Sequence, residues 1–191
     1  MTYSEYQEIS KKIEALYLEM SKESQSFKEK YKISCVVNCG KCCKNPDIYS
    51  SPLEMLPLAL HLVNSKTDEE LLTLLEKLDM TEICAFYENL GGDSGRCTIY
   101  NQRSVVCRLF GWTHFKGKKN EEVAICREIK ANNQKVLETM IDSKAIAEAP
   151  RMGTWDQLVN DLDVNLGSVK YPLNKSLKIM LEKILLVRPS L

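Results

Sequence analysis

The chain has 191 residues, with 26 Lys and Arg against 26 Asp and Glu, 44% apolar residues, eight Gly and six Pro. A chain of this length buries about 70% of its unfolded surface, so a sizeable core forms without covalent staples and nothing in the composition suggests disorder. A net charge of zero and a pI near 6.7 supply neither a basic stripe for nucleic acid nor a polybasic segment for anionic lipid, so no nucleic-acid and no membrane partner is expected.

Tyr6, Ile9, Ile13, Leu16, Tyr17, Met20 and Phe27 recur at helical spacing behind Thr2 and Glu5, a capping-box pair. They predict a long amphipathic helix over about residues 3–30, whose apolar stripe is either core or a face for a partner. Ser51-Pro52-Leu53-Glu54 provides a cap, a proline at the first helical position and an acid at the third. Pro57 interrupts the helix that this cap opens, so two short pieces are expected up to about Val63. Thr67-Asp68-Glu69-Glu70 is a second capping box and opens a leucine-rich helix to about Asp79.

Arg96–Tyr100 and Val105–Trp112 read as short extended pieces, and neither alternates long enough to demand a sheet. From Cys126 to about Glu148 the pattern is helical, with Pro150 as its stop. Thr154 and Gln157 suggest a capped short helix to about Leu162, and Pro172 opens a last helix that Arg188-Pro189 ends. The expected fold is mainly α: a single irregular helical domain over 1–191. Its cysteine region, 35–126, is a loop-rich metal site flanked by N- and C-terminal helices. The loops are marked by Asn38, Gly40, Asn45-Pro46 and Gly91-Gly92-Asp93-Ser94-Gly95. The opening residues lack the apolar core of a secretion signal and no apolar run is long enough to span a bilayer, so a cytoplasmic location is expected.

Eight cysteines carry the chemistry: Cys35, Cys39, Cys42, Cys43, Cys84, Cys97, Cys107 and Cys126. Thiolates that bind one ion must converge at about 2.3 Å from it, and cysteines two or three residues apart around a glycine turn do so with little chain ordering. Cys39-Gly40-Lys41-Cys42 is such a turn, and Lys41 and Lys44 add positive charge beside it. Consecutive side chains point in different directions, so Cys42 and Cys43 most easily serve different metals or different irons of one cluster. Eight thiolates suffice for two four-coordinate sites.

The plain alternative is that these cysteines are buried small hydrophobes on a helix, but Asn38 and Gly40 are poor helix-interior residues. A disulfide framework is disfavoured by the adjacent pair and by the reducing compartment expected. Metal binding is therefore the favoured reading, and all-sulfur ligation suits zinc and an iron–sulfur cluster alike.

The ordered set Cys35-Val-Val-Asn-Cys39-Gly-Lys-Cys42-Cys43, Ile83-Cys84-Ala-Phe, Gly95-Arg-Cys97-Thr-Ile-Tyr100 and Arg103-Ser-Val-Val-Cys107-Arg108-Leu-Phe110 resembles the YkgJ-type cysteine-cluster family of zinc- or iron-chelating domains. The resemblance runs from Cys35 to about Cys126. It implies that the first seven cysteines occupy the family's metal positions, with Cys126 completing the set. Arg103 and Arg108 fall on the family's arginines, where a guanidinium would offset the charge of a thiolate-bound cofactor. Two departures stand out: Ser104 replaces the proline usual after the first arginine, and three residues rather than two separate Cys35 from Cys39.

The implied role is a metalloprotein with an iron–sulfur cluster or zinc, acting in electron transfer, metal handling or protein modification, with room for a protein partner or protein substrate. The alternative is an S-adenosylmethionine-dependent enzyme of radical or methylase-like type. Cys35-x3-Cys39-x2-Cys42 has radical-enzyme spacing, and a related cysteine-rich region resembles part of flagellin lysine methylases. Against the radical enzyme stands the missing alternation of strand and helix that a β/α barrel requires. A hydrolytic zinc site would call on His61 or His114, although no His-Glu-x-x-His is present. Phe110, Trp112, Phe115 and Trp155 are either shields for a cluster or ordinary core.

Overall fold

A computed structural model of the chain describes residues 1–92, 94–117 and 120–189. It is mainly helical, as expected. Helix α1, Tyr3–Tyr31, begins at the Thr2–Glu5 capping box and ends where Lys32 turns left-handed. Its 29 residues make a rod of about 43 Å. That reach lets it join two apolar clusters, with Tyr6, Ile13, Tyr17 and Met20 in one and Phe27 in the other. The stripe foreseen as core or docking face is core.

The first cluster gathers helices α2 (Leu56–Ser65), α3 (Asp68–Met80) and α10 (Leu173–Val187) around α1. Between α1 and α2 the chain passes a short strand, β1 (Tyr49–Ser50), and a single helical turn, Leu53–Met55. Pro57 thus starts α2 as foreseen, because its missing N–H falls where no intrahelical partner exists. Thr67 and Glu70 cap α3 reciprocally. Pro172 precedes α10 and also belongs to β6 (Tyr171–Pro172), which pairs antiparallel with β1.

Between α3 and α10 the chain forms a hairpin of β2 (Tyr87–Gly91) and β3 (Ser94–Cys97), the helix α4 (Val105–Leu109), and a second hairpin of β4 (Trp112–Lys116) and β5 (Glu121–Ile125). Short helices come next: α5 (Arg127–Asn132), α6 (Val136–Ile141), α7 (Ser143–Glu148), α8 (Met152–Asn160) and α9 (Val164–Gly167). Trp112, Val123 and Ile125 of the second hairpin pack with Phe27, Ile129 and Val136 in the second cluster.

Three expectations need correction. Val105–Leu109 is helical rather than extended, because the Glu54 carboxylate accepts the Val105 N–H at 3.0 Å and caps the turn from a distance. The stretch 127–148 is three helices: it breaks at Asn133, and Asp142 re-caps the chain by accepting from the Ala145 N–H. Thr154 lies inside α8, whose N-terminal flank is Arg151. Asp93 of the glycine-rich loop lies outside the described residues. No helix among the described residues is long and apolar enough to cross a membrane.

Candidate metal centre

The cysteines are carried by irregular backbone that the helices hold in place. Cys39 lies between Asn38 and Gly40, both left-handed at φ 53° and 57°. Lys41–Lys44 then makes one 3-10 turn that turns Cys43 inward, 8% exposed, and leaves Cys42 half-buried. Gly40 has no alternative, since a Cβ there would stand 2.6 Å from the Tyr87 ring. A Cβ on Gly95 would meet the same ring at 2.3 Å. Tyr87 therefore fits into a slot that two glycines leave open, and it joins the Cys39–Cys43 loop to the hairpin that carries Cys97. Sequence reasoning missed Tyr87; the only available signal was a glycine close to a cysteine on each of two segments.

Backbone bonds complete the assembly. Cys84 N–H donates to the Cys43 carbonyl at 2.9 Å, and Gly95 N–H donates to the Asn38 carbonyl at 2.8 Å. Asn174 of α10 fixes the Cys84 segment with its amide: Oδ1 accepts from Ala85 N–H, and Nδ2 donates to the Thr81 and Ile83 carbonyls. Cys107 rides on α4, which Glu54 caps.

These segments line a partly open cavity of about 390 Å³. Seven of the eight cysteines line it: Cys35, Cys39, Cys42, Cys43, Cys84, Cys97 and Cys107. Met55, Leu58, Leu173 and Leu177 form the opposite wall. Among the described residues no Asp, Glu or His lines the cavity, and its two charged lining residues, Arg96 and Arg103, are cationic. Such a donor set fits soft-ligand metals, zinc or iron–sulfur, and does not fit calcium or magnesium.

Within the cavity, the Cys43 thiol is electrostatically tied to Cys42, Cys84 and Cys97, which favour its protonated form and push its own pKa far up. The same tie holds Cys42 down at about 6 and Cys97 at about 7, and lowers Cys84. Arg103 acts in the same direction on Cys42 and Cys97. Burial raises Cys107 to about 12. Among the described residues no three Cys, His, Asp or Glu side chains surround a common point as ligands. Binding an ion therefore requires the thiols to deprotonate and rearrange.

The remaining expected site residues lie elsewhere. Cys126 precedes α5 as its N-cap beside the second apolar cluster, outside the cavity lining, and its electrostatic tie is to Cys35. Arg103 lines the cavity, stacked 3.5 Å from the Tyr100 ring centre. Arg108 does not: it lies over the Tyr17 ring and donates to the Arg103 carbonyl and to Ser21 Oγ, so it clamps α4 to α1. His114 sits between Glu121 and Arg151, and exposed His61 lies on α2. Trp112 donates to Ser24 and Trp155 to Glu23, and none of the four aromatics foreseen as shields lines the cavity. Phe86, Ile99 and Tyr100 take that place.

No curated protein and no solved structure matches the chain. Residues 34–138 match the family described as "CxxCxxCC: putative zinc- or iron-chelating domain". That match takes in every cysteine of the cavity and more than half of the chain, so the protein whose thiols converge here belongs to the CxxCxxCC family.

Proposed function

We propose that the protein is a thiolate metalloprotein that holds zinc or iron in this cavity. The observation that carries the reading is seven cysteines lining one partly open cavity in which no Asp, Glu or His competes. Cys42, Cys43, Cys84 and Cys97 form the primary set, and Arg103 offsets part of their charge. The apolar wall of Leu58 and Leu177 lowers the local dielectric, which strengthens metal–thiolate attraction. Bound iron–sulfur would supply one-electron transfer, whereas zinc would supply a fixed thiolate centre.

All eight cysteines are free, which supports a reducing, cytoplasmic setting. The sheets among the described residues are three antiparallel pairs, so the architecture lends no barrel to a radical S-adenosylmethionine enzyme. Electron transfer, metal handling and action on a protein partner all remain compatible with a sulfur-lined cavity.

The test is iron, zinc and acid-labile sulfide per chain on anaerobically purified protein, beside a Cys43→Ser, Cys97→Ser double variant. Near-stoichiometric metal in the wild type, lost in the variant at unchanged helix content, is expected. Metal-free wild type that cannot be reconstituted, or full metal in the variant, overturns the reading.

A further inference from the structure

Ser104 stands at the N-cap of α4, three residues before Cys107, where a serine ordinarily accepts a hydrogen bond from an N–H of the first turn. This one makes no such bond. Its carbonyl accepts from the Arg108 N–H at 3.1 Å and the Glu54 carboxylate takes the Val105 N–H, so α4 starts without help from the serine side chain. Ser104 lines the cavity instead, only 1% exposed, and among the described residues its Oγ has no hydrogen-bond partner.

A buried hydroxyl without a partner is costly to keep, which raises the question of what completes it. Cys107 lies on the first turn that Ser104 opens, and the two side chains already interact: the hydroxyl favours the Cys107 thiolate, against the burial that raises that thiol. They do so without a bond of full hydrogen-bonding geometry. A neutral thiol is a weak acceptor, whereas a thiolate accepts a charge-assisted bond. The missing partner of Ser104 is therefore the ionised form of its neighbour.

We propose that Ser104 is a positioning residue of the metal centre: its hydroxyl donates to the thiolate of Cys107 and holds that sulfur as a ligand. This rests on the thiolate-chelation reading and adds to it a residue that itself touches no metal. When an ion binds, the Cys107 proton passes to solvent as the metal–sulfur bond forms, and the serine proton stays on Oγ, aimed at a remaining sulfur lone pair. No electrons are transferred. Arg103 spreads its charge over Cys35, Cys42, Cys97 and Cys107 alike, whereas the Ser104 hydroxyl acts on Cys107.

The fold supplies a matched control. Ser50 Oγ is also buried without a partner among the described residues, at 0% exposure, but Ser50 belongs to β1 and lies outside the cavity lining.

Cobalt(II), which reports thiolate ligation through a sulfur-to-metal charge-transfer band, is the probe. It is titrated into the full chain after metal is stripped under anaerobic reducing conditions. Ser104→Ala should bind cobalt roughly 10- to 100-fold more weakly. Its band should move to longer wavelength, because a thiolate without that bond holds its electrons less tightly. Ser104→Thr keeps the hydroxyl and should restore both, and Ser50→Ala should change neither. Before cobalt is added, Ser104→Ala should unfold in urea no earlier than the wild type, since the deletion removes an unpaired group. An unchanged band and affinity in Ser104→Ala, or a loss of stability before metal is added, overturns the role of Ser104 and leaves chelation standing. No cobalt bound by the wild type overturns chelation and this proposal with it. Where threonine does not fold, the contrast between the two alanine variants decides.

Discussion

The two walls of the cavity are built on opposite principles. One is Met55, Leu58, Leu173 and Leu177, packed into the helical core with Leu58 and Leu177 only 1% and 2% exposed. The other is a set of loops in which left-handed Asn38 and Gly40, a 3-10 turn and a few cross-segment backbone bonds present the thiols. Apolar burial sustains the first wall without any ligand, at about 25 cal/mol per Å². The second gathers several thiols that disfavour one another's ionisation, relieved in part by Arg103 and by backbone N–H groups. The helical wall is thus a scaffold that is stable alone, and the thiol wall is expected to depend on a bound cation.

The largest expected effect comes from removing that cation. Apparent binding energies of structural zinc sites are on the order of 10 kcal/mol, so stripping metal should loosen the thiol wall far more than any single substitution does. Amide exchange should rise across 35–43 and 84–97 while the far-UV helical signal persists. Uniform loss of protection over α1 and α10 would break the comparison, because it would make the metal a keystone for both walls.

Next in size is a cut into the helical wall. Leu177→Ala removes a fully buried side chain from the main cluster and should cost about 2–5 kcal/mol in urea unfolding of the metal-loaded protein. Its metal stoichiometry should be unchanged.

The same division governs what the sequence made legible. Helices α1, α3 and α10 announce themselves through local chemistry, namely the Thr2–Glu5 and Thr67–Glu70 boxes and Pro172. The cysteine list was legible too, since spacing alone names the thiols. The features that escaped are those that depend on a distant partner. Val105-Val106 looks like strand until Glu54, 51 residues earlier, caps it. The β4–β5 hairpin depends on Trp112, Val123 and Ile125 finding Phe27 on α1. Arg108 belongs to Tyr17 and Ser21 rather than to the thiols, and Cys126 falls outside a cavity whose boundary only the fold draws.

Glu54 links the two walls, and its effect is next in size. It is 1% exposed, and burial raises its carboxyl from 4.5 to about 7. Asp156 adds to the rise, while bonds from Ser51 and Val105 N–H and the charge of Lys170 oppose it. A raised folded pKa means that the folded chain holds the proton more tightly than the unfolded chain does. The associated stability is therefore fully present below about pH 4.5 and is lost as pH climbs through about 7. Its full size is roughly 3 kcal/mol. The difference between wild type and Glu54→Gln, measured at each pH, should carry this slope and separates it from thiol titration. A flat difference would show that Glu54 keeps an ordinary carboxyl.

The smallest effect serves as the control on independence. Thr67 Oγ1 accepts from the Glu70 N–H at 3.3 Å, and the Glu70 carboxylate accepts from the Thr67 N–H at 2.8 Å. Both bonds are exposed and belong to the start of α3, a helix of the scaffold. Thr67→Ala removes one of them and should cost about 1 kcal/mol, read as a small shift of the urea midpoint at unchanged slope. Because Thr67 stands at the far end of α3 from Lys77, whose Nζ donates to the Ala85 carbonyl beside Cys84, metal content and metal affinity should stay at wild-type values. A cap this remote that weakened metal binding would mean that strain travels from the helical wall into the loops, and the two walls would then have to be treated as one cooperative unit.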